Sequence, residues 1–203
     1  MTKRSSARDL REACVGEALT IISERGLEAL SMRDVARRLG VSHQAPYKHF
    51  ESRDHIIAEI VATAFEEFAD HLDSRSRCDD PFDDLGGMGM AYLEYAEREP
   101  LKYRLMFGSQ LPDADRHARM VERGQHAFSL LVDAISRIHK HMGQERTRER
   151  IEMDAMFVWS TVHGMATLRQ TEPQRKLDLC ARTNKEMIGH ALRMIGEALR
   201  AAG

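Results

Sequence analysis

Five side chains capable of hydrogen bonding lie within seven consecutive positions, more than a packing element of that length would carry. They are His43, Gln44, Tyr47, Lys48 and His49. The amide of a glutamine can pair with two atoms of an adenine in the DNA major groove, whereas tyrosine and lysine suit phosphate oxygens. The composition of the segment therefore predicts a surface that contacts DNA. A solvated polar turn between two helices is the alternative interpretation.

The elements around this cluster have the order needed to present it. Ser31 is placed to cap a helix from Met32 to Leu39, and Gly40 supplies a left-handed residue for a sharp turn. Ser42 is placed to cap a second, very short helix that carries the polar side chains. A helix, a glycine turn and a short polar helix together predict a helix-turn-helix, whose second helix enters the major groove.

Two stretches of the chain resemble a known family. The words ALTIISERGLEALSMRDVARRLGVS and APYKHFESRD make the region from about Arg11 to Asp54 similar to the DNA-binding domain of TetR family transcriptional regulators of bacteria. Trp159, His163 and Gly164 in FVWSTVHGMATL resemble the WHG-type C-terminal domain of some of these regulators. The resemblance implies an all-α protein. A three-helix helix-turn-helix domain over residues 1–54 would precede a helical ligand-binding and dimerisation domain over residues 55–203.

The resemblance also assigns DNA contacts to particular positions. Arg33 matches a position that reaches a guanine, the start of the recognition helix faces base edges, and the residues after it match a phosphate-contacting cluster. For Tyr47 and His49 a purely structural role stays open, because the ring can pack on the first helix and the imidazole can cap the recognition helix. The predicted DNA-binding residues are Arg33, Ser42, His43, Gln44, Ala45, Tyr47, Lys48, His49 and Arg53.

The distribution of charge gives modest support to a DNA partner. The 203 residues carry a net charge of −2, from 30 Lys/Arg and 32 Asp/Glu. Residues 1–53 contain ten of the basic and seven of the acidic residues, so this part is +3 and the remainder is −5.

Three widely spaced cysteines favour reduced thiols, and neither a signal core nor an apolar run of roughly 20 residues is present. We therefore expect a cytoplasmic protein.

Helical periodicity extends along the whole chain, without a convincing run of alternating β-formers. The first helix is predicted over about 6–24, ended by Gly26. A long fourth helix, capped by Ser52, is predicted to run to about Leu72 and to connect the two domains. Residues 73–84 are predicted to form a loop. Further helices are predicted over about 85–98, 100–107, 114–142, 147–171 and 177–201.

The second domain is rich in soft and aromatic side chains. Ten of the twelve methionines lie beyond residue 87, and such side chains either line an adaptable apolar pocket or fill an irregular helical core. The resemblance favours a pocket, because this domain binds small molecules in the family. For His163 the structural alternative is a satisfied core histidine. The predicted ligand-binding residues are Met88, Tyr92, Met106, Phe107, Phe128, Met156, Trp159, Ser160 and His163.

The last helix repeats apolar residues at helical spacing, with Gly189 and Gly196 a heptad apart. It either covers its own core or, as the resemblance implies, joins the preceding helix in a homodimer interface. We find no motif for catalysis, no cofactor site and no metal site; His139 and His141 diverge on a helix. The sequence thus predicts a repressor that a small apolar or amphipathic effector releases from a palindromic operator. A helical carrier or enzyme that does not bind DNA, and an architectural DNA binder without an effector, are the alternatives.

Overall fold

A computed structural model describes residues 3–108, 111–171, 177 and 181–201, except the side chains of residues 3–8, 181, 184 and 185. Within this part the chain is all-α and contains no β-strand, as predicted. Cys180 and the predicted first turn of the last helix, at 178–180, lie outside it. The helices are α1 (Lys3–Arg25), α2 (Met32–Arg38), α3 (Arg53–Asp73), α4 (Pro81–Arg98), α5 (Pro100–Met106), α6 (Ala118–His141), α7 (Arg148–Arg169) and α8 (Ala181–Ala201). Single 3₁₀ turns lie at Leu27–Ala29, Pro46–Lys48 and Ala114–Arg116.

The chain divides into two compact units that do not follow its order. The first unit comprises Met1–Phe65 and Leu101–Gly124, and the second comprises Glu66–Pro100 and Gln125–Gly203. The predicted domain boundary after residue 54 falls inside the first unit, because α3 and a later segment share its core. The buried residues of that core include Cys14, Ile21, Val35, Phe50, Ile56, Ile60, Leu105 and Met120. Both α3 and α6 contribute residues to the two units.

Helix α4 begins four residues earlier than predicted, at Pro81. The carboxylate of Asp80 accepts the backbone N–H groups of Phe82 and Asp83, at 2.7 and 3.2 Å. Proline suits the first helical position because its missing N–H would have no partner there. The predicted loop over residues 73–84 is therefore too long, because its last four residues belong to α4. Helix α6, by contrast, begins four residues later than predicted, because Asp113 caps a separate 3₁₀ turn by accepting the N–H of Asp115 at 3.1 Å.

A buried carboxylate holds the second unit together around the end of α3. Asp84 is only 1% exposed and forms ion pairs with Arg75 at 3.0 Å and Arg137 at 2.7 Å. The backbone N–H of Cys78 donates to its other oxygen at 3.4 Å. Arg75 also donates to the carbonyl of Leu72, near the C-terminus of α3. Asp84 thus joins α4 to α6 and to the loop after α3, and Arg75 extends this connection to the end of α3.

In the first unit, His117 lies edge-to-face against His55, with ring centroids 4.7 Å apart. Burial, followed by the charges of His55 and Arg116, lowers the pKa of His117. The unfolded chain, with a histidine pKa of about 6.5, therefore binds this proton more tightly than the folded protein. The contribution of neutral His117 to the free energy of unfolding is therefore expected to be fully present above a pH of about 6.5. It should be lost as the pH decreases through the lowered pKa of the folded state.

Urea unfolding between pH 7.5 and pH 5 measures this dependence. We expect the His117→Gln variant to lose less stability over this range than the unsubstituted protein. His126→Gln, which changes an exposed histidine of α6, serves as the control and should keep the original slope. Identical slopes for the His117→Gln variant and the unsubstituted protein would contradict the prediction.

Candidate nucleic-acid interface

The turn between α2 and the following segment forms as predicted. The Oγ of Ser31 accepts the backbone N–H of Asp34 at 3.1 Å, which caps α2. Gly40 has a φ of 67°, in the region that glycine adopts without steric cost. The N–H of Val41 then donates to the carbonyl of Ala36 at 3.0 Å. These bonds direct the chain sharply away from α2.

The recognition segment, residues 42–50, is not the short α-helix that we predicted. It consists of a turn followed by the 3₁₀ turn Pro46–Lys48. An α-helix capped by Ser42 would need the N–H of residue 46 to donate to the carbonyl of Ser42, and proline has no N–H. The N–H of Ala45 instead donates to the carbonyl of Ser42, at 2.9 Å. The N–H of Lys48 donates to the carbonyl of Ala45, at 3.2 Å.

The buried residues of the recognition segment lie four positions apart, and most of its polar side chains lie on the surface. Pro46 and Phe50 are buried, and Phe50 belongs to the core of the first unit. Ala45 and His49 are half-buried. The predicted DNA-binding residues with exposed side chains are Arg33 on α2 and Ser42, His43, Gln44, Tyr47 and Lys48 in the recognition segment.

Most arginines near the recognition segment are occupied by acidic partners. Arg25 and Arg37 both pair with Asp34, at 2.7 and 3.0 Å. Arg38 pairs with two glutamates of α1, at 3.1 and 2.5 Å. Arg33 and Lys48, in contrast, have no ion pair with any residue that the structure describes. These two cations are therefore available to DNA phosphates and bases without the breaking of an internal pair.

Arg53 has a role that sequence reasoning missed. Its guanidinium donates to the carbonyls of Leu30 and Leu27, at 3.1 and 2.6 Å. These carbonyls follow α1, so the side chain connects the start of α3 to the α1–α2 connection. The structure thus gives Arg53 a positioning role, and its predicted DNA contact stays a prediction.

The second unit brings together four of the predicted ligand-binding residues. The indole N–H of Trp159 donates to the hydroxyl of Tyr92 at 3.4 Å, and that hydroxyl lies 2.8 Å from Nδ1 of His163. The ring of Phe128 lies 5.8 Å from Trp159, measured between centroids. Burial lowers the pKa of His163, so the imidazole is neutral near pH 7. The arrangement is an aromatic cluster with a central chain of uncharged hydrogen bonds.

Sequence reasoning missed Phe68 of α3, whose ring packs edge-to-face on Tyr92 with centroids 5.1 Å apart. The apolar spacing of the fourth helix contained that residue, but it did not indicate which helix Phe68 would face. Because α3 also supplies Ile56 and Ile60 to the first unit, one helix carries residues of both the cluster and the DNA-binding core.

The structure does not bring the remaining predicted ligand-binding residues into this cluster. Met106 and Phe107 belong to the first unit, where the ring of Phe107 packs on Phe65 and Tyr103. Met156 and Ser160 are exposed on α7. Met88 is buried in α4 of the second unit, outside the described contacts among the aromatic rings. The prediction placed these residues together because helical spacing gives a face but not the neighbour of that face.

Two family profiles cover most of the chain. Residues 16–60 match "Bacterial regulatory proteins, tetR family", and residues 85–200 match "Tetracyclin repressor-like, C-terminal domain". The chain belongs to the TetR family. The family that these profiles describe consists of bacterial regulatory proteins and not of enzymes.

Individual TetR relatives agree with this assignment. An HTH-type transcriptional regulator of Mycobacterium tuberculosis is 32% identical over 143 residues, which are 66% of this chain and 59% of that protein. The chain thus spans less than two thirds of the length of this relative. The HTH-type transcriptional repressor KstR2 of the same species is 25% identical over 148 residues, or 70% of each chain.

Solved structures show the same TetR fold. A protein of unknown function from Rhodococcus sp. RHA1 superposes with a TM-score of 0.74 at 22% identity, over 94% of this chain and 93% of that one. The TetR family regulator PfmR from Thermus thermophilus gives 0.62 at 22% identity, over 92% and 97%. In the described part of the chain, none of the helices has the length and apolar content needed to span a bilayer.

Proposed function

We propose that this TetR regulator is a cytoplasmic repressor that binds a palindromic operator as a homodimer and is released by a small apolar or amphipathic effector. The observation that carries the proposal is the recognition segment, which exposes Gln44, Tyr47 and Lys48 on a buried base of Pro46 and Phe50. The naming of a relative, KstR2, as a repressor favours repression over activation.

An exposed apolar stripe on α7 supports a dimer. Met153 and Leu168 are each 58% exposed, far more than apolar residues of a covered helix. A Cβ added at Gly164, in the same stripe, would meet nothing within 4 Å. Nothing within the described part of the single chain therefore explains the glycine, whereas close approach of a second helix does. The stripe consists of Met153, Met156, Phe157, Gly164 and Leu168.

Helix α8 supports the same interface because it has two apolar faces. Ile195 and Leu199 are buried within the second unit. Met194 and Ala198 lie on another face and are exposed. Together, α7 and α8 of two chains would form a four-helix interface. A dimer would place two recognition segments about 34–36 Å apart, one in each of two successive major grooves.

The aromatic cluster of the second unit is the proposed effector site. Its polar atoms belong to Tyr92, Trp159 and His163, all uncharged near pH 7, which suits an apolar molecule with one or two polar groups. Phe68 connects this site to α3. An effector that changed the position of Phe68 would change the position of α3 and the spacing of the two recognition segments. Coupling of about 1–3 kcal/mol changes DNA affinity roughly 5–150-fold.

The division of labour in the recognition segment is testable. Gln44→Ala is expected to relax base preference at one position of each half-site, with a loss of about 1–3 kcal/mol on the preferred sequence, because glutamine reads a base edge. Lys48→Ala is expected to weaken binding to all sequences and to reduce the salt slope by about 1 for each phosphate that the lysine neutralises. Fluorescence anisotropy with matched and single-mismatch duplexes at several salt concentrations measures both effects.

Exposed residues of the second unit provide matched controls for these two substitutions. Gln125→Ala and Lys140→Ala remove the same side chains from α6 and should change neither affinity nor salt slope. Equal, sequence-independent losses for Gln44→Ala and Lys48→Ala would contradict the assigned roles.

A further inference from the structure

The first unit contains a cavity of about 290 Å³ that neither DNA contact nor the aromatic cluster uses. Its volume lies near the lower end of small-molecule sites, which span roughly 300–1000 Å³. The cavity is bounded by the end of α1, the turn that follows it, α3 and α5. The lining residues are Ile22, Gly26, Leu27, Ile57, Leu101, Arg104, Leu105 and Gly108.

Five aliphatic residues of the lining belong to the packed core of the first unit or pack against it, and polar atoms form about as much of the lining surface as apolar atoms do. Ile22, Ile57 and Leu105 are among the buried residues of the first unit, and Leu27 and Leu101 pack against them. Gly26 has a φ of 86°, and a Cβ added there would meet nothing within 4 Å. The turn therefore needs glycine for its backbone conformation, and the same glycine leaves one side of the cavity open.

Arg104 is the one charged residue among the eight lining residues. The Arg104 side chain is exposed and forms no ion pair or hydrogen bond with any residue that the structure describes. A guanidinium presents a planar set of N–H donors that matches a carboxylate. Acidic side chains are absent among the eight lining residues, so nothing in the lining competes for this charge.

We propose that this cavity is a binding site for a small organic anion, with its apolar body between Ile57 and Leu101 and its carboxylate on Arg104. The volume restricts the apolar body to about the size of one ring or a short chain. The site differs from the proposed effector site in its unit, its lining and its charge.

Binding at this site would act on the recognition segment through the hydrogen bond between Leu27 and Arg53. Leu27 lines the cavity, and its carbonyl accepts a hydrogen bond from Arg53 at the start of α3. The recognition segment ends three residues before Arg53. A ligand that orders the turn at Gly26 and Leu27 therefore stabilises the anchor of α3, and it should raise the melting temperature of the full-length protein.

The test uses ¹⁹F NMR titrations of the full chain with three probes that share one ring: 4-fluorobenzoate, 4-fluorobenzamide and 4-fluorobenzylamine. We expect saturable binding of the benzoate, weaker binding of the neutral amide and the weakest binding of the protonated amine. Arg104→Gln should weaken benzoate binding at least about 5-fold and leave amide binding unchanged. Leu101→Trp, which fills the cavity, should weaken the binding of both.

Arg116→Gln provides the control, because Arg116 is also exposed in the first unit but does not line the cavity. This variant should bind the benzoate as the unsubstituted protein does. Absence of saturable benzoate binding would overturn the proposal. Benzoate affinity unchanged in both Arg104→Gln and Leu101→Trp would also overturn it, because the anion would then bind elsewhere. DNA affinity measured without ligand tests the proposed function separately.

Discussion

Gly164→Arg is expected to convert the dimer into folded monomers and to lower operator affinity by roughly 10²–10⁴-fold, because the second recognition segment is no longer tethered to the first. The backbone of Gly164 lies within α7, and an added Cβ would meet no atom of the described part of the chain within 4 Å. Replacing a helical glycine does not destabilise the helix itself. The loss is therefore expected to come from the partner helix, which a long charged side chain would hold away from α7.

Sedimentation and light scattering at micromolar concentration, combined with anisotropy on operator DNA, measure the two effects of Gly164→Arg. Gly86→Arg is the matched control: Gly86 lies within α4 of the same unit and also has open space at its Cβ position. We expect this variant to stay dimeric and to bind DNA normally. A Gly164→Arg protein that remains a dimer would disprove the α7 interface.

Asp84→Ala is expected to cost about 3–5 kcal/mol of unfolding free energy, the usual result of removing one partner from a buried ion pair. The cost arises because the guanidinium of Arg75 would lose its partner. The Arg75 side chain is 9% exposed, so its charge would remain buried without the carboxylate. The substitution would also release the loop after α3, which Asp84 connects with α4 and α6, and it would free Arg75, which bonds the end of α3.

Urea denaturation of Asp84→Ala and Asp73→Ala gives the comparison. The Asp73 carboxylate pairs with Arg77 at 2.7 Å, but both side chains are about half exposed, so its removal should cost less than about 1 kcal/mol. Should Asp84→Ala fail to fold, Asp84→Asn provides a milder change, and it should still be less stable than Asp73→Ala. Equal losses at the two positions would show that the buried cluster does not hold the unit together.

Local signals allowed much of the first unit to be predicted from the sequence. The cap at Ser31 and the positive φ at Gly40 depend only on neighbouring residues, and both were correct. Ser52 also caps α3 as predicted, since its Oγ accepts the N–H of His55 at 3.3 Å. The 3₁₀ form of the recognition segment was predictable in principle from Pro46, whose missing N–H removes the first α-helical bond.

Features that depend on distant residues were not predictable in this way. Arg53 donates to carbonyls more than 20 positions earlier, a pairing that no local pattern indicates. Helical spacing likewise identified the faces of α7 but not their neighbours. It grouped Met156 and Ser160 with Trp159 and His163, although the first two lie on the exposed arc. The first unit includes residues 101–124 for the same reason, because the core contacts of Leu105 and Met120 join segments far apart in sequence.

Two outward-facing recognition segments are expected to read one duplex. Selection of DNA from a random library by the purified full-length protein, followed by anisotropy on the enriched sequence, tests it most directly. We predict a palindromic site whose half-site centres lie about 10–10.5 base pairs apart or at a multiple of that spacing. We also predict that its affinity is at least about 1000-fold higher than that of random DNA. Enrichment of no sequence, or of a site without two-fold symmetry, would contradict the account.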